Sequence, residues 1–230
     1  DYIRRDGITD WILKEVRTRF GNARKITKET IFYYVYGLLH SPKYREAFAA
    51  DLKKSLPRIP IVEDIDAFLD FSYAGKQLAN LHLNYEEIPA YEGVTVIGDR
   101  QKEEAPDGRM IAGTTDLYAV KVDYKYYEVE KMRFPKKGQK DTIIYNSSIR
   151  IENIPDEAYE YIVNGKSAIE WIMERYQVKT DPSSLIKNDP NVWSREHDNP
   201  RYILDLLLSV INVSVQTMEI VKKLPDLKLE

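Results

Sequence analysis

The 230-residue chain contains no cysteine and only three histidines, His40, His82 and His197. Without cysteine it can form no disulfide, no thiolate metal site and no cysteine nucleophile, and this composition is typical of proteins from a reducing cytoplasm. The histidines are far apart in the sequence, so no spacing typical of a metal-binding cluster links them. We therefore expect a cytoplasmic protein that needs neither a metal ion nor another cofactor.

Long apolar runs and a strong excess of charge are also missing. No uninterrupted apolar run approaches the roughly 18 residues that a membrane span needs, and no apolar signal region follows the N-terminus. There are 34 Lys plus Arg against 37 Asp plus Glu, a net charge of −3, so bulk charge does not favour nucleic-acid binding. Any site for a polyanion must be local. Because the chain begins at Asp1 without methionine, we expect it to be a piece of a longer polypeptide.

Apolar residues recur at helical spacing at both ends of the chain. Four such segments precede residue 88. Polar residues suited to helix N-caps stand before the first three at Thr9, Thr27 and Ser41, and the fourth segment extends from Asp64 to about His82. Gly75 is a weak point of the fourth segment, because glycine destabilises a helix interior. Helical spacing returns from Pro155, again from Ser167, and in a last helix from about Pro200.

Between residues 89 and 154 the period of the apolar residues changes to two, which is typical of half-buried strands. We predict strands at 94–97, 120–126, 127–134 and 143–151, and an exposed polar loop at 101–113. The residues from Pro135 to Lys140 separate the last two strands, which we interpret as a long-looped antiparallel hairpin. The polar stretch 179–199 predicts an irregular loop.

Helices at both ends and strands between them predict an α+β fold, with an N-terminal helical layer, a central mostly antiparallel β-sheet and C-terminal helices. The predicted division is a helical subdomain at 1–88, a β-rich subdomain with the basic hairpin at 89–154, and a C-terminal helical part at 155–230 that packs on the rest. No internal repeat or low-complexity tract divides the chain further.

The predicted hairpin concentrates positive charge on an otherwise acidic chain. Its residues 131–150 include one acid, Asp141, and six basic residues, which are Lys131, Arg133, Lys136, Lys137, Lys140 and Arg150. The first five of these are candidates for phosphate contacts, because each cation that neutralises a phosphate releases a counterion. Asn146, Ser148 and Arg150 are of types that hydrogen-bond base edges, and a two-stranded ribbon fits the major groove of DNA. The same charges are also typical of a solvated hairpin that resists edge-to-edge aggregation, and the residues alone leave both interpretations open.

A second constellation on the predicted strands is acidic. Glu128 and Glu130, with Lys131 after them and Asp123 before them, are similar to the carboxylate pair and lysine with which metal-dependent nucleases hold Mg²⁺. The spacing departs from the usual order of an acid, any residue and lysine. Charges that alternate with apolar residues along a strand are more typical of a solvent-facing side. A Mg²⁺-dependent nuclease is therefore the weaker alternative.

Several segments resemble one family of bacterial proteins. They are LANLHLNYE at 78–86, VEKMRF at 129–134, TIIYN at 142–146, NDPNVW at 188–193, and the longer stretches 26–60 and 154–181. Together they resemble the C-terminal specificity domain of type ISP restriction-modification enzymes, in the same order and over about residues 8–225. The resemblance implies a non-catalytic domain that recognises a DNA sequence in cis with an adenine methyltransferase, which flips the target base.

The resemblance also implies partners. We expect double-stranded DNA and the methyltransferase and coupler domains of the same polypeptide, in which the nuclease and the motor lie elsewhere. A module that only docks or couples neighbouring domains, without contacting DNA, is a further alternative. Its candidate surface is the tyrosine-rich helical face around Tyr33, Tyr34 and Tyr36.

Overall fold

A computed structural model of the chain describes residues 6–21, 23–100 and 124–228. The described residues combine α-helices with small antiparallel sheets, which confirms the predicted α+β fold. They form two compact units, of which the first contains residues up to Asn84 and from Gln216, and the second is Tyr85–Val215. The division into three parts at 88 and 154 stays a prediction.

The first unit begins with four helices, which are α1 (Asp10–Arg19), α2 (Lys28–His40), α3 (Pro42–Ala47) and α4 (Ile65–Leu83). The predicted N-caps Thr9, Thr27 and Ser41 each accept a hydrogen bond from the backbone N–H three residues later, and Asp64 does the same before α4. The local sequence signals therefore predict where these helices begin. The apolar pattern of the third helix continues to Leu52, but α3 ends at Ala47 and is followed by turns.

Two glycines allow α2 and α4 to cross at very short range. A Cβ atom on Gly75 would lie 1.9 Å from the Tyr33 carbonyl oxygen, and one on Gly37 would lie 2.2 Å from the Phe71 carbonyl oxygen. The interpretation of Gly75 as a weak point of α4 is therefore wrong, since glycine is what the helix contact requires there. Beside the crossing, the buried ring of Tyr34 stacks on Phe68 with the centroids 4.2 Å apart.

The second unit has a three-stranded antiparallel sheet in the order β1-β3-β2, with β1 at Thr95–Ile97, β2 at Ile143–Ile144 and β3 at Arg150–Glu152. Two further hairpins are β4 (Ile162–Val163) with β5 (Lys166–Ser167) and β6 (Lys179–Thr180) with β7 (Lys187–Asn188). Its helical elements are α5 (Tyr124–Tyr127), a 3₁₀ turn at Asp156–Tyr159, α6 (Ala168–Arg175) and α7 (Asn191–Glu196).

The predicted hairpin differs from the observed one. Residues 143–151 are two strands, β2 and β3, joined by a turn at 145–149, and the predicted strand 127–134 is reduced to one antiparallel bridge between Arg133 and Ile144. Residues 124–126, expected to end a strand, begin the short helix α5. The rest of that predicted strand, 120–123, and the predicted loop 101–113 lie outside the described residues.

Three further segments depart from their predicted form. The helix expected from Pro155 is the single 3₁₀ turn, and Asn164 and Gly165 form the tight turn between β4 and β5 with φ values of 49° and 87°. An Asn-Gly pair with two positive φ angles is a strong local signal for a hairpin. The stretch 179–199, expected to be irregular, contains β6, β7 and α7.

Helix α8 (Tyr202–Lys222) contributes residues up to Val215 to the second unit and residues from Gln216 to the first. It is long and apolar enough to cross a membrane, but most of its side chains are buried inside the protein. Leu204, Leu207 and Ile211 lie in the core of the second unit with no exposed surface. This burial is typical of the central helix of a globular core, so length and composition do not make α8 a membrane span.

Candidate nucleic-acid interface

An open groove of about 880 Å³ runs along the second unit. Its lining includes residues 128–131 with Arg133, which we call the wall, and residues 146–148 of the β2–β3 turn, which we call the edge. Lys187 and Asp189 also line it. The groove therefore brings together Lys131, Arg133, Asn146 and Ser148, four of the eight residues that the sequence predicts for a DNA interface.

Hydrogen bonds on both sides hold the wall of this groove. The buried side chain of Asn191, at the start of α7, accepts from the Val129 N–H and donates to the Val129 carbonyl, both at 2.9 Å. The Val178 N–H donates to the Glu130 carbonyl at 2.8 Å. These contacts resemble the pairing of neighbouring strands. They fix the backbone from which the Lys131 side chain projects.

The edge of the groove is organised by Asn146. Its Nδ2 donates to the carbonyl oxygens of Tyr126 and Glu128, at 2.9 and 3.0 Å. Its Oδ1 accepts from the N–H groups of Ser148 and Ile149, at 2.9 and 2.8 Å. An amide side chain has two donors and an acceptor oxygen with two lone pairs, so these four bonds use its full capacity. In this structure Asn146 shapes the turn, and the exposed residues that it presents are Ser147 and Ser148.

Cations outnumber unpaired acids in the groove. Lys131 and Arg133 are exposed and have no ion-pair partner among the described residues. Arg195 forms ion pairs with both Glu128 and Asp189, two of the carboxylates that line the groove. Although burial raises the pKa of Asp189, hydrogen bonds from Asn191 and Arg195 outweigh it and hold that pKa below its ordinary value. Asp189 therefore stays ionised and neutralised by its guanidinium partner.

The other predicted contact residues lie elsewhere. Lys136 and Lys137 are exposed in a separate open cleft that also contains Asp141 and Asp156. Lys140 lines the same cleft, but its Nζ is 2.9 Å from Glu170 Oε1 and 5.1 Å from the centroid of the Tyr159 ring. Arg150, on β3, is 2.6 Å from the Glu152 carboxylate. Five of the six predicted basic residues are therefore divided between the groove and the cleft, and Arg150 lines neither.

Sequence reasoning missed a nearly buried ion cluster in the second unit. Arg201 donates to Asp99 Oδ1 at 2.5 Å and to Asp205 Oδ1 at 2.8 Å, and the Tyr127 hydroxyl donates to Asp99 at 3.1 Å. The side chains of Arg201 and Asp99 are each only 10% exposed. Although burial lowers the pKa of Arg201, the charges of Asp205 and Asp99 raise it further, so the guanidinium stays charged. The cluster ties the residues after β1 to α5 and to the start of α8.

The acidic constellation does not assemble into a metal site among the described residues. Glu128 is held by Arg195, and no group of three or more histidine, aspartate or glutamate side chains that could hold a metal occurs in the described ranges. Asp123, the third member of the predicted constellation, lies outside them.

The tyrosine-rich face of α2 is largely internal. The Tyr34 hydroxyl donates to the Pro60 carbonyl at 2.6 Å, and the Tyr36 hydroxyl is 2.8 Å from Nδ1 of His82. Tyr33 lies under the ammonium group of Lys76, 5.6 Å from its ring centroid. Two of the three predicted tyrosines therefore use their hydroxyl groups within the first unit.

Comparison with known proteins gives one consistent result. A family model described as the Type ISP C-terminal specificity domain matches residues 2–206. A nuclease-deletion mutant of the Type ISP restriction-modification enzyme LlaGI, in complex with a DNA substrate mimic, is 47% identical with a TM-score of 0.71, over 89% of this chain and 17% of that one. The ATP-dependent Type ISP enzyme LlaBIII bound to DNA is 42% identical with a TM-score of 0.77, over 98% of this chain and 12% of that one.

A third similar structure is a DrdV–DNA complex, 28% identical with a TM-score of 0.69, over 95% of this chain and 20% of that one. This chain thus spans between 12 and 20% of the length of the three proteins. No curated protein sequence matches it significantly.

Proposed function

Because the chain belongs to the family of Type ISP C-terminal specificity domains, we propose that it recognises the target sequence in double-stranded DNA for a single-chain restriction-modification enzyme. Support comes from LlaGI, LlaBIII and DrdV, whose similar structures hold DNA or a DNA mimic. In this proposal the chain is a non-catalytic module. The adenine methyltransferase and the ATP-dependent nuclease lie in the remainder of the polypeptide, which acts in the bacterial cytoplasm and which we call the parent enzyme.

The observation that carries the proposal is the composition of the groove. Lys131 and Arg133 project from the wall, whose backbone is held by hydrogen bonds, and Ser147 and Ser148 lie on the edge. Protein–DNA interfaces combine these two kinds of group, because cations position the phosphate backbone while short polar side chains hydrogen-bond base edges. A groove with this pairing suits one strand of a duplex and the base edges beside it.

The second basic surface extends the proposed interface. Lys136 and Lys137 are exposed and can neutralise DNA phosphates beyond the groove. Such contacts add affinity but do not distinguish one base sequence from another. Lys140 and Arg150 belong to the same proposed contact set, but each must leave a carboxylate partner to contact DNA. We therefore expect their contribution to be smaller than that of the cations without such partners.

The test is an exchange of domains in the parent enzyme. The chain is replaced by the specificity domain of a relative that has a different target, and methylated adenines are mapped on genomic DNA. The proposal expects methylation to move to the donor's target. A control in which the chain's own domain is reinserted with the same junctions must keep the original target. An active hybrid that still methylates the original target contradicts the proposal.

Exposed aromatic residues favour one additional role. Trp11 on α1 and Phe32 on α2 are 69% and 54% exposed, which is high for such apolar side chains. In an interdomain coupling module these rings would contact the methyltransferase or coupler domain of the parent enzyme. Trp11→Ala and Phe32→Ala would then reduce ATP-driven cleavage and leave the methylated sequence unchanged. Unaffected cleavage by both variants would remove the coupling role for this surface.

A further inference from the structure

One exposed basic residue, Arg100, stacks on an aromatic ring that lines the groove. The guanidinium carbon of Arg100, just after β1, lies 3.7 Å from the centroid of the Tyr126 ring. This is the distance of a guanidinium plane stacked on an aromatic face. Arg100 is exposed and has no ion-pair partner among the described residues.

The ring under this guanidinium is itself fixed. The Tyr126 hydroxyl donates to the Gly98 carbonyl at 2.6 Å, and the Tyr126 carbonyl accepts from Nδ2 of Asn146 at 2.9 Å. The neighbouring ring of Tyr127 meets it edge to face, with the centroids 5.4 Å apart. A side chain that stacks on such a platform loses less conformational freedom when it binds a ligand.

Close backbone packing sets Arg100 beside the edge of the groove. Gly98 has a φ of +82°, and a Cβ atom there would lie 2.1 Å from the Ser148 carbonyl oxygen. The chain two residues before Arg100 thus touches the turn that presents Ser147 and Ser148. Tyr126, on which Arg100 stacks, also lines the groove. The ring on which Arg100 stacks and the two serines therefore line the same groove.

We propose that Arg100 is a specificity-determining residue whose guanidinium donates a pair of hydrogen bonds to N7 and O6 of a guanine in the target sequence. The proposal rests on the DNA-recognition function argued above and assigns a base contact within it. A planar fork with two parallel N–H groups matches the major-groove edge of guanine and no other base, and it is the commonest specific contact to that base. A phosphate contact would need only charge, which a flexible lysine supplies equally well.

The decisive variant is Arg100→Lys in the parent enzyme, because it keeps the positive charge and removes the planar fork. Methylation rates are measured on the cognate site and on a set of duplexes in which each base pair of the site is replaced in turn. We expect wild-type discrimination to be retained everywhere except at one guanine, where the preference falls by roughly tenfold or more. The salt dependence of binding should stay unchanged, since the number of neutralised phosphates is the same.

Two further variants complete the test. Tyr126→Leu removes the stacking ring and should weaken discrimination at the same guanine, with melting temperature measured to separate loss of fold from loss of selectivity. Lys137→Ala should weaken binding equally for all sequences. Unchanged selectivity of Arg100→Lys at every position, or a target that contains no discriminated guanine, overturns the assignment of Arg100. If domain exchange moves the target while Arg100→Lys behaves as wild type, only this inference fails and the recognition function stands.

Discussion

The side chain of Asn191 forms hydrogen bonds with both the N–H and the carbonyl of Val129, although the two residues lie 62 positions apart in the sequence. The same asparagine donates from its own N–H and its Nδ2 to Asp189 Oδ1, at 3.0 and 2.8 Å. Asp189 in turn pairs with Arg195 on the same short helix. A segment that the sequence predicts to be an irregular loop therefore supports the wall of the groove.

We expect Asn191→Ala to destabilise the second unit. The variant leaves the buried N–H and carbonyl of Val129 without partners, and each unsatisfied group costs about 1–3 kcal/mol. The free energy of unfolding from urea titration should fall by about 2–4 kcal/mol. Asn188→Ala, at an exposed position on β7, is the matched control and should change it by less than about 0.5 kcal/mol. Equal effects of the two variants would contradict the role given to Asn191.

Local sequence signals such as helix N-caps predict much of this fold. The predictions fail where the structure depends on contacts between residues that are distant in the sequence. Helices begin after Thr27 and Asp64 because the side-chain oxygen of each residue accepts a hydrogen bond from the backbone N–H three residues later. This contact is local and does not depend on the rest of the chain. The contact between Arg201 and Asp99 joins residues 102 positions apart, and no spacing rule connects them. For the site, charge counting finds Lys131 and Arg133 but cannot foresee which cations are already paired.

Substitution of Gly75 tests the close crossing of α2 and α4. A methyl group at this position must displace backbone atoms of the opposing helix, so the helices have to separate. We expect Gly75→Ala to lower the free energy of unfolding by about 1–3 kcal/mol or more, despite the higher helix propensity of alanine. Gly7→Ala is the control, because no described atom lies within 4 Å of a Cβ atom there. A neutral or stabilising Gly75→Ala variant would refute the crossing.

Salt titration identifies which basic surface contacts phosphates. If the groove binds the DNA backbone, replacing Lys131 and Arg133 together with alanine removes two phosphate contacts. The slope of log affinity against log salt for the parent enzyme should then become shallower by about 1.8. The pair Lys136→Ala and Lys137→Ala measures the second surface in the same way. A slope that changes only in this second pair would place the contact in the cleft and exclude the groove.

Arg195 is expected to keep the groove attractive to a polyanion without contacting it. Arg195→Gln releases the carboxylate of Glu128, leaves Asp189 with only the more distant ammonium of Lys187, 3.7 Å away, and adds negative potential beside Lys131. Duplex affinity should fall about 3–10-fold at low salt, and the loss should shrink at high salt as screening increases. Arg175→Gln makes the same change in net charge at a residue whose guanidinium lies over Trp171. Equal losses of duplex affinity in both variants would show that affinity depends only on the net charge of the protein and not on the position of Arg195.

The histidine pair of the first unit predicts how stability depends on pH. His82 accepts or donates hydrogen bonds at both ring nitrogens, to the Tyr36 hydroxyl at 2.8 Å and the Thr217 hydroxyl at 2.9 Å, and its ring centroid is 5.5 Å from that of His40. Burial, with a smaller effect of the His40 charge, lowers the pKa of His82 to about 4. Burial also lowers the pKa of His40, despite its hydrogen bond with the Tyr36 carbonyl.

Both histidines are therefore neutral in the folded state at a pH where the unfolded chain, with a histidine pKa near 6.5, begins to bind protons. The stability that the neutral pair contributes is present above about pH 6.5 and is lost as the pH falls toward about 4. Urea titrations of the chain should give a free energy of unfolding that decreases through this window. His82→Gln should make the decrease shallower, whereas His197→Gln, at an exposed position on the second unit, should leave it as in wild type. If His82→Gln keeps the full pH dependence, the loss of stability arises from other groups and the buried pair is not its source.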